Sequence, residues 1–221
     1  MITEDRLDST TVITWLSQVA ATVKEQRDYL VELDSAIGDG DHGINMDRGF
    51  DAVTRAIAAQ DGATPGQLLL VAGRTLVSHV GGASGPLWGS ALRRAGRVLG
   101  DTPTFDAVTL AAGLEAALAA VAELGSATVG DKTMVDALQP AVTALRDQLD
   151  QGSPLPSALQ AAADAAEAGM RATVPLQAKR GRASYLGARS IGHQDPGATS
   201  TAMIIRDLER TVTGATRTAE N

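Results

Sequence analysis

Apolar residues recur at helical spacing through eight stretches of this chain, and no run of comparable length alternates with the two-residue period of a strand. The stretches are 10–33, 45–59, 64–79, 87–99, 105–124, 133–151, 154–174 and 198–210. In the first, Val12, Trp15, Leu16, Val19, Val23, Leu30 and Leu33 fall on one face behind a Ser/Thr cap. Pro65 suits a first helical turn, and Gly152 with Pro154 marks a join between helices. Residues 199–205 are β-compatible alone, but nothing nearby offers them a partner strand. Alanine and leucine dominate, with only two each of Phe, Trp and Tyr, so the helices must pack closely through small side chains. The expectation is an all-α fold: eight antiparallel amphipathic helices in an up-and-down barrel or bundle, one domain spanning residues 1–221.

The formal charge is −7, the pI is near 4.9 and the basic residues are scattered, which argues against a nucleic-acid or anionic-membrane partner. An anionic ligand would then need bound cations or local donors. The chain has no cysteine, which removes disulfides, thiolate catalysis and sulfur-ligated metals. No charged-then-apolar leader opens the chain and no apolar run approaches the ~20 residues that span a bilayer, so a cytoplasmic location is expected.

Four connections have unusual composition: 38–43, 81–86 (GGASGP), 125–134 (GSATVGDKTM) and 179–197 (KRGRASYLGARSIGHQDPG). With antiparallel neighbours alternate loops emerge at the same end, so these loops can meet at one mouth. The first is the most telling. LDSAIGDGDHGINM (33–46) sets Asp34, Asp39 and Asp41 within eight residues, separated by small spacers. Like charges a few ångströms apart repel by roughly 4 kcal/mol at an effective dielectric of ~20, so such a group either stays in solvent or binds a cation. Gly38, Gly40 and Gly43 let the backbone curl until the carboxylates converge. All-oxygen ligands suit Mg²⁺, which is usually held by a few carboxylates together with substrate phosphates. Asp-Gly repeats also make ordinary turns, and the spacing is not that of an EF-hand.

The other loops carry weaker signals. GGASG ahead of a helix offers bare N–H groups and the Ser84 hydroxyl to a phosphate, although it also reads as a flexible connection. His42 beside the aspartates suits a phosphate donor or a plain loop hydrogen-bonder, and His79 reads as structural. Met134 can lie against a planar base; its bland alternative is a capped helix start. Arg182, Arg189 and Asp195-Pro196-Gly197 sit in a segment whose glycines argue against a regular helix, and guanidinium groups there suit charge on a transferring phosphoryl group. Nothing identifies a protein nucleophile.

Together, LDSAIGDGDHGINM, GGASGPL, GDKTM and GRASYLGARSIGHQDPGATS resemble, in order and spacing, the nucleotide-binding L subunit of bacterial dihydroxyacetone kinases, itself similar to the C-terminal kinase domain of the single-chain enzymes. The resemblance spans nearly the whole chain. It implies an eight-helix barrel with a nucleotide, ADP or ATP, and two Mg²⁺ ions in loops at one end. It assigns Asp34, Asp39 and Asp41 to the metal and His42, Gly43, Ile44 and Asn45 to the phosphate side, with Ala83 and Ser84 as phosphate cradle. Gly125 and Met134 would line the base or ribose, and Arg182, Asp195, Pro196 and Gly197 would close the site, with Arg182 a possible charge stabiliser. It further implies a partner K subunit that holds dihydroxyacetone. In one branch an M subunit of the phosphotransferase system rephosphorylates bound ADP; in another, ATP exchanges freely. The isolated single-domain length favours the first branch. Erythrulose as acceptor, a nucleotide-sensing regulatory subunit and a homodimer remain open alternatives.

Overall fold

The computed structural model describes residues 6–219, with side chains as far as Gly214. Among the described residues are nine α-helices: α1 (Ser9–Glu25), α2 (Arg27–Ile37), α3 (His42–Ala58), α4 (Pro65–His79), α5 (Ser84–Leu99), α6 (Ala107–Gly125), α7 (Val135–Asp150), α8 (Leu155–Ala172) and α9 (Pro196–Ala219). Each of α3 to α9 packs against its neighbour in sequence, and α1 touches both α3 and α9, so the helices close into a ring. The expected eight staves are therefore present, with α1 and α2 sharing one.

That shared stave departs from the expected 10–33 helix. The backbone breaks at Gln26, with no glycine or proline to announce it. The break lets α2 turn toward α3 and α9 and place Asp34 over the start of α3. Two further differences are short. Phe105 pairs with Leu7 across an antiparallel two-residue ribbon, β1 (Leu7–Asp8) with β2 (Thr104–Phe105), instead of opening α6. Residues Arg182–Ser190 form a 3₁₀ segment kinked at Gly187, whose φ is +56°, in the stretch where glycines argued against a regular helix.

The ring is filled by apolar side chains from every stave, including Leu16, Phe50, Leu76, Leu138, Leu159 and Ile204. Each buried residue of that size contributes roughly 1.5–3 kcal/mol. Trp15 spans the interior and donates its indole N–H to the Ile204 carbonyl at 3.0 Å, as a buried polar edge requires. Glycines let α4 and α5 approach closely: Gly73 lies against the Gly89 carbonyl, and Gly66 against those of Gly96 and Gly100.

Contrary to the sequence reading, one helix, α6, is long and apolar enough by length and composition to cross a membrane. In the ring its Leu110, Leu114 and Val121 face the core, while Glu115 pairs with Arg146 of α7 and Glu123 with Arg94 of α5. These contacts make it a stave of the barrel.

Because the staves alternate in direction, the loops 38–41, 80–83, 126–134 and 173–195 all open at one end, and α3, α5, α7 and α9 all begin there. At the far end α1, α4 and α6 start with Asp8, Thr64 and Asp106 bonded to their first-turn N–H groups. At the mouth, α3 and α5 start at Asp41 and Ala83 with no cap from either side chain.

Candidate functional site

Asp34 lies in the last turn of α2 and is buried. Its Oδ2 accepts from the backbone N–H of Asp41 at 2.9 Å and of His42 at 3.1 Å, so one helix anchors the start of the next. Two glycines shape the intervening turn. A Cβ on Gly38 would collide with the Asp34 carboxylate, and Gly40 has φ +74°, in the left-handed region. The turn brings one carboxylate oxygen each of Asp34, Asp39 and Asp41 within 4.8 Å of one another. Arg182 Nη2 lies 3.1 Å from Asp39 Oδ2, the ion pair found for this trio among the described residues. One largely exposed guanidinium does not balance three carboxylates, and hard oxygen donors in excess over local cations fit Mg²⁺.

Across the cavity, α5 begins after Gly81, Gly82 and Ala83 with the N–H groups of its first turn turned to the mouth. Asn45 stands beside them. Arg48 donates to its Oδ1 at 2.6 Å, and since a guanidinium only donates, the amide NH₂ is the end left for a ligand. The ring of His42 is buried between two serines, Nδ1 3.1 Å from Ser84 Oγ and Nε2 3.0 Å from Ser200 Oγ. Burial pulls its pKa below the ordinary histidine value, against the opposing pull of Asp34 and Asp41. Both ring nitrogens are thus engaged.

The third wall is apolar on one side, where Leu87, Val121, Ala127 and Met134 line the cavity near Gly125. Its other side is a polar frame. Asp136 accepts from the N–H groups of Gly130 at 2.6 Å and Thr133 at 2.7 Å, tying the loop to the start of α7. Lys132, at a left-handed φ of +62°, is almost fully buried. Its ammonium donates to the carbonyls of Thr173 at 2.8 Å, Leu176 at 3.2 Å and His193, which joins three segments of the mouth. Burial lowers its pKa, with Asp195 and Asp136 opposing. Asp195 receives a bond from the Ala198 N–H at 2.7 Å and gives its own N–H to Thr173 Oγ1 at 3.0 Å. Burial, with Asp136 nearby, pushes its carboxyl up to about 7 despite Ala198 and Lys132.

The structure places Asp34, Asp39, Asp41, His42, Asn45, Ala83, Ser84, Gly125, Met134, Arg182, Asp195, Pro196 and Gly197 around one open cavity of about 240 Å³. Gly43 and Ile44 do not line it. Gly43 faces the other way, where any Cβ would collide with the Arg27 carbonyl, so it serves the packing of α3 on α2. Ile44 is half exposed on the outside. Arg189 also lies outside the lining, whereas Arg180, Gly181 and Lys132 belong to it. The sequence reading missed Lys132 and Ser200. The GDKT string was visible, but a lysine meeting three distant carbonyls has no local signature, and Ser200 lies within an ordinary helical pattern.

The DAK2 domain matches residues 36–210. The chain is 41% identical to the ADP-binding subunit DhaL of the PEP-dependent dihydroxyacetone kinase of Escherichia coli K12, over 91% of this chain and 96% of that protein. It is 40% identical to a D-erythrulose kinase of Mycolicibacterium smegmatis, over 90% of this chain but 35% of that protein. The crystal structure of the dihydroxyacetone kinase of C. freundii in complex with AMP-PNP and Mg²⁺ superposes with a TM-score of 0.68 at 30% identity, covering 92% of this chain and 34% of that one. The native form gives 0.70 at the same identity, over 92% and 35%. With the family model matching residues 36–210 and a relative 41% identical matched over nearly its whole length, the chain belongs to the DAK2 domain family.

Proposed function

We propose that this chain is the nucleotide-binding subunit of a dihydroxyacetone kinase, holding ADP or ATP through two Mg²⁺ ions and passing the γ-phosphoryl group to a ketose bound by a separate K subunit. One observation carries the reading: three convergent carboxylates face the uncapped start of α5 across a single cavity. The carboxylates suit divalent ions, and the N–H groups of α5, at the positive end of its dipole, suit a phosphate. Asp34, Asp39 and Asp41 would hold the ions, which when bound draw charge from the phosphate oxygens and keep donor and acceptor in line.

The chain's own residues do the positioning. Asp34 spends Oδ2 on two backbone N–H groups and keeps Oδ1 for a ligand. Asn45, held by Arg48, turns its NH₂ group to the phosphates, and the apolar wall with Met134 accepts the flat base. Arg182 spans the opening from the opposite loop and supplies positive charge where the phosphoryl group leaves. None of these groups is a nucleophile, so the acceptor attacks directly and catalysis is positioning plus charge neutralisation.

The 41% identity across nearly all of a PEP-dependent DhaL subunit supports the branch in which ADP stays bound and an M subunit rephosphorylates it. A relative named as an erythrulose kinase supports a acceptor chosen by the K subunit, not by this cavity. The reading also places the protein in the cytoplasm. Two measurements test it. Protein purified without added nucleotide and then denatured is expected to release about one adenine nucleotide per chain; empty protein that exchanges ATP rapidly favours the freely exchanging branch. Mixing the chain with a K subunit, Mg²⁺–ATP and dihydroxyacetone is expected to yield triose phosphate, and nucleotide binding without transfer would support a regulatory subunit instead.

A further inference from the structure

We propose that Lys132 is a positioning residue that closes the base of the 173–195 segment and thereby places Arg182 at the mouth, and that it is not itself a phosphate ligand. The inference rests on the functional reading only for its effect on nucleotide; the hold on the segment rests on geometry.

A lysine in a glycine-containing loop, bordering the cavity just ahead of a helix, invites assignment to the phosphate. Its hydrogen bonds point elsewhere. An ammonium has three N–H donors and no acceptor. All three are spent on the carbonyls of Thr173, Leu176 and His193, and the side chain is almost fully buried. Lys132 also holds a left-handed φ of +62°, uncommon for a residue with a side chain, and such backbone persists where surrounding contacts enforce it.

The three carbonyls belong to the two ends of one excursion. Thr173 and Leu176 stand where the chain leaves α8, and His193 stands where it returns to α9, with Arg182 between them. One ammonium therefore ties exit to re-entry, helped by the Gly192 N–H on the Val174 carbonyl at 2.8 Å. Apolar packing does little for the outer part: of residues Arg182–Ser190, Ser190 alone is buried. What remains there are ion pairs of exposed cations, Lys179 and Arg180 with Asp131 and Arg182 with Asp39, and such pairs are weak. Without the ammonium, the three carbonyls regain partners by opening the segment to water, which frees Arg182 before it disturbs the ring.

The test is hydrogen exchange, read amide by amide, together with Mg²⁺–ADP titration, on the full-length protein and on Lys132→Met, which keeps an unbranched side chain without its charge. The N–H groups of Lys179, Gly192 and Asp195 bond to the Asp131 carbonyl, the Val174 carbonyl and Thr173 Oγ1. They should exchange about tenfold faster in the variant, while amides within α4 and α5 keep their rates. Mg²⁺–ADP affinity should fall about tenfold. In an Arg182→Gln background the same change should cost less than about twofold, because Arg182 is the group it places. Affinity lost without faster exchange would make Lys132 a direct phosphate ligand and overturn the proposal. Exchange accelerated throughout the ring, or a variant that does not fold, would make it a core residue and overturn it too. So would faster exchange with affinity kept, no change in either, or a full tenfold loss in the Arg182→Gln background. If the wild type bound no Mg²⁺–ADP, the functional reading would fall while exchange in Lys132→Met still decided what holds the segment.

Discussion

At the scale of single residues, the site combines groups whose charges are in tension. Asp39 is the outermost of the three aspartates and its ion pair is with Arg182, from another loop. Asp39→Asn removes one metal ligand from a turn outside the core. Magnesium-dependent nucleotide affinity is therefore expected to fall at least tenfold in calorimetric titration, with helical circular dichroism and melting midpoint unchanged within error. Asp195 makes a prediction of opposite character. Its folded pKa of about 7 lies above that of an unfolded aspartate, so the folded state binds the extra proton between roughly pH 4 and 7. The stabilising effect is fully present below the unfolded value and is lost as pH rises through 7. In chelator, the wild type should lose stability over that window in urea titrations, and Asp195→Asn, which still accepts from the Ala198 N–H, should flatten the loss.

Helices and loops show a division of labour along the barrel. At the far end α1, α4 and α6 carry side-chain caps and glycines bring α4 and α5 together, while at the mouth α3 starts against the Asp34 carboxylate and α5 starts with no side-chain cap. Gly66→Ala tests whether the two ends are separable. A Cβ there would collide with the Gly100 carbonyl and lie 2.6 Å from that of Gly96. It is expected to cost about 1–3 kcal/mol in chemical denaturation by forcing α4 and α5 apart, with nucleotide affinity unchanged. In α7, Pro140 cannot bond to the Asp136 carbonyl, and α8 approaches that carbonyl closely at Gly169, where a Cβ would collide with it. Much of this level was legible. The glycine and proline joins placed most helix ends within a few residues. The break at Gln26 was not, because only the demand that Asp34 reach the Asp41 and His42 N–H groups makes the chain turn there.

For the molecule as a whole, closing the ring gathers four loops that are up to about 150 residues apart along the chain, 38–41 to 173–195, around one cavity. A ligand spanning those loops stabilises the folded state alone. Mg²⁺–ADP at a hundred times its Kd should therefore raise the unfolding free energy by about 2.7 kcal/mol, and chelator should return the melting midpoint to its ligand-free value. Lys132 acts at the same scale, clasping carbonyls of residues 173, 176 and 193 from a loop some 40 to 60 residues earlier.

The sequence by itself determined what periodicity and local chemistry can carry: eight staves, the loops that share an end, and the convergence of three aspartates across glycines. It could not tell which way Gly43 and Ile44 face: both sit in the motif, yet the Cβ direction of Gly43 and the side chain of Ile44 lie away from the cavity, because adjacent positions on a helix point in different directions. Only the tertiary structure decided the partners of buried polar groups: Lys132 in its carbonyl cage, Asp195 kept from solvent, His42 between Ser84 and Ser200. The physical reason is that a buried donor or acceptor must be satisfied wherever the folded chain supplies a partner, and that partner is set by the closure of the ring, not by spacing along the chain.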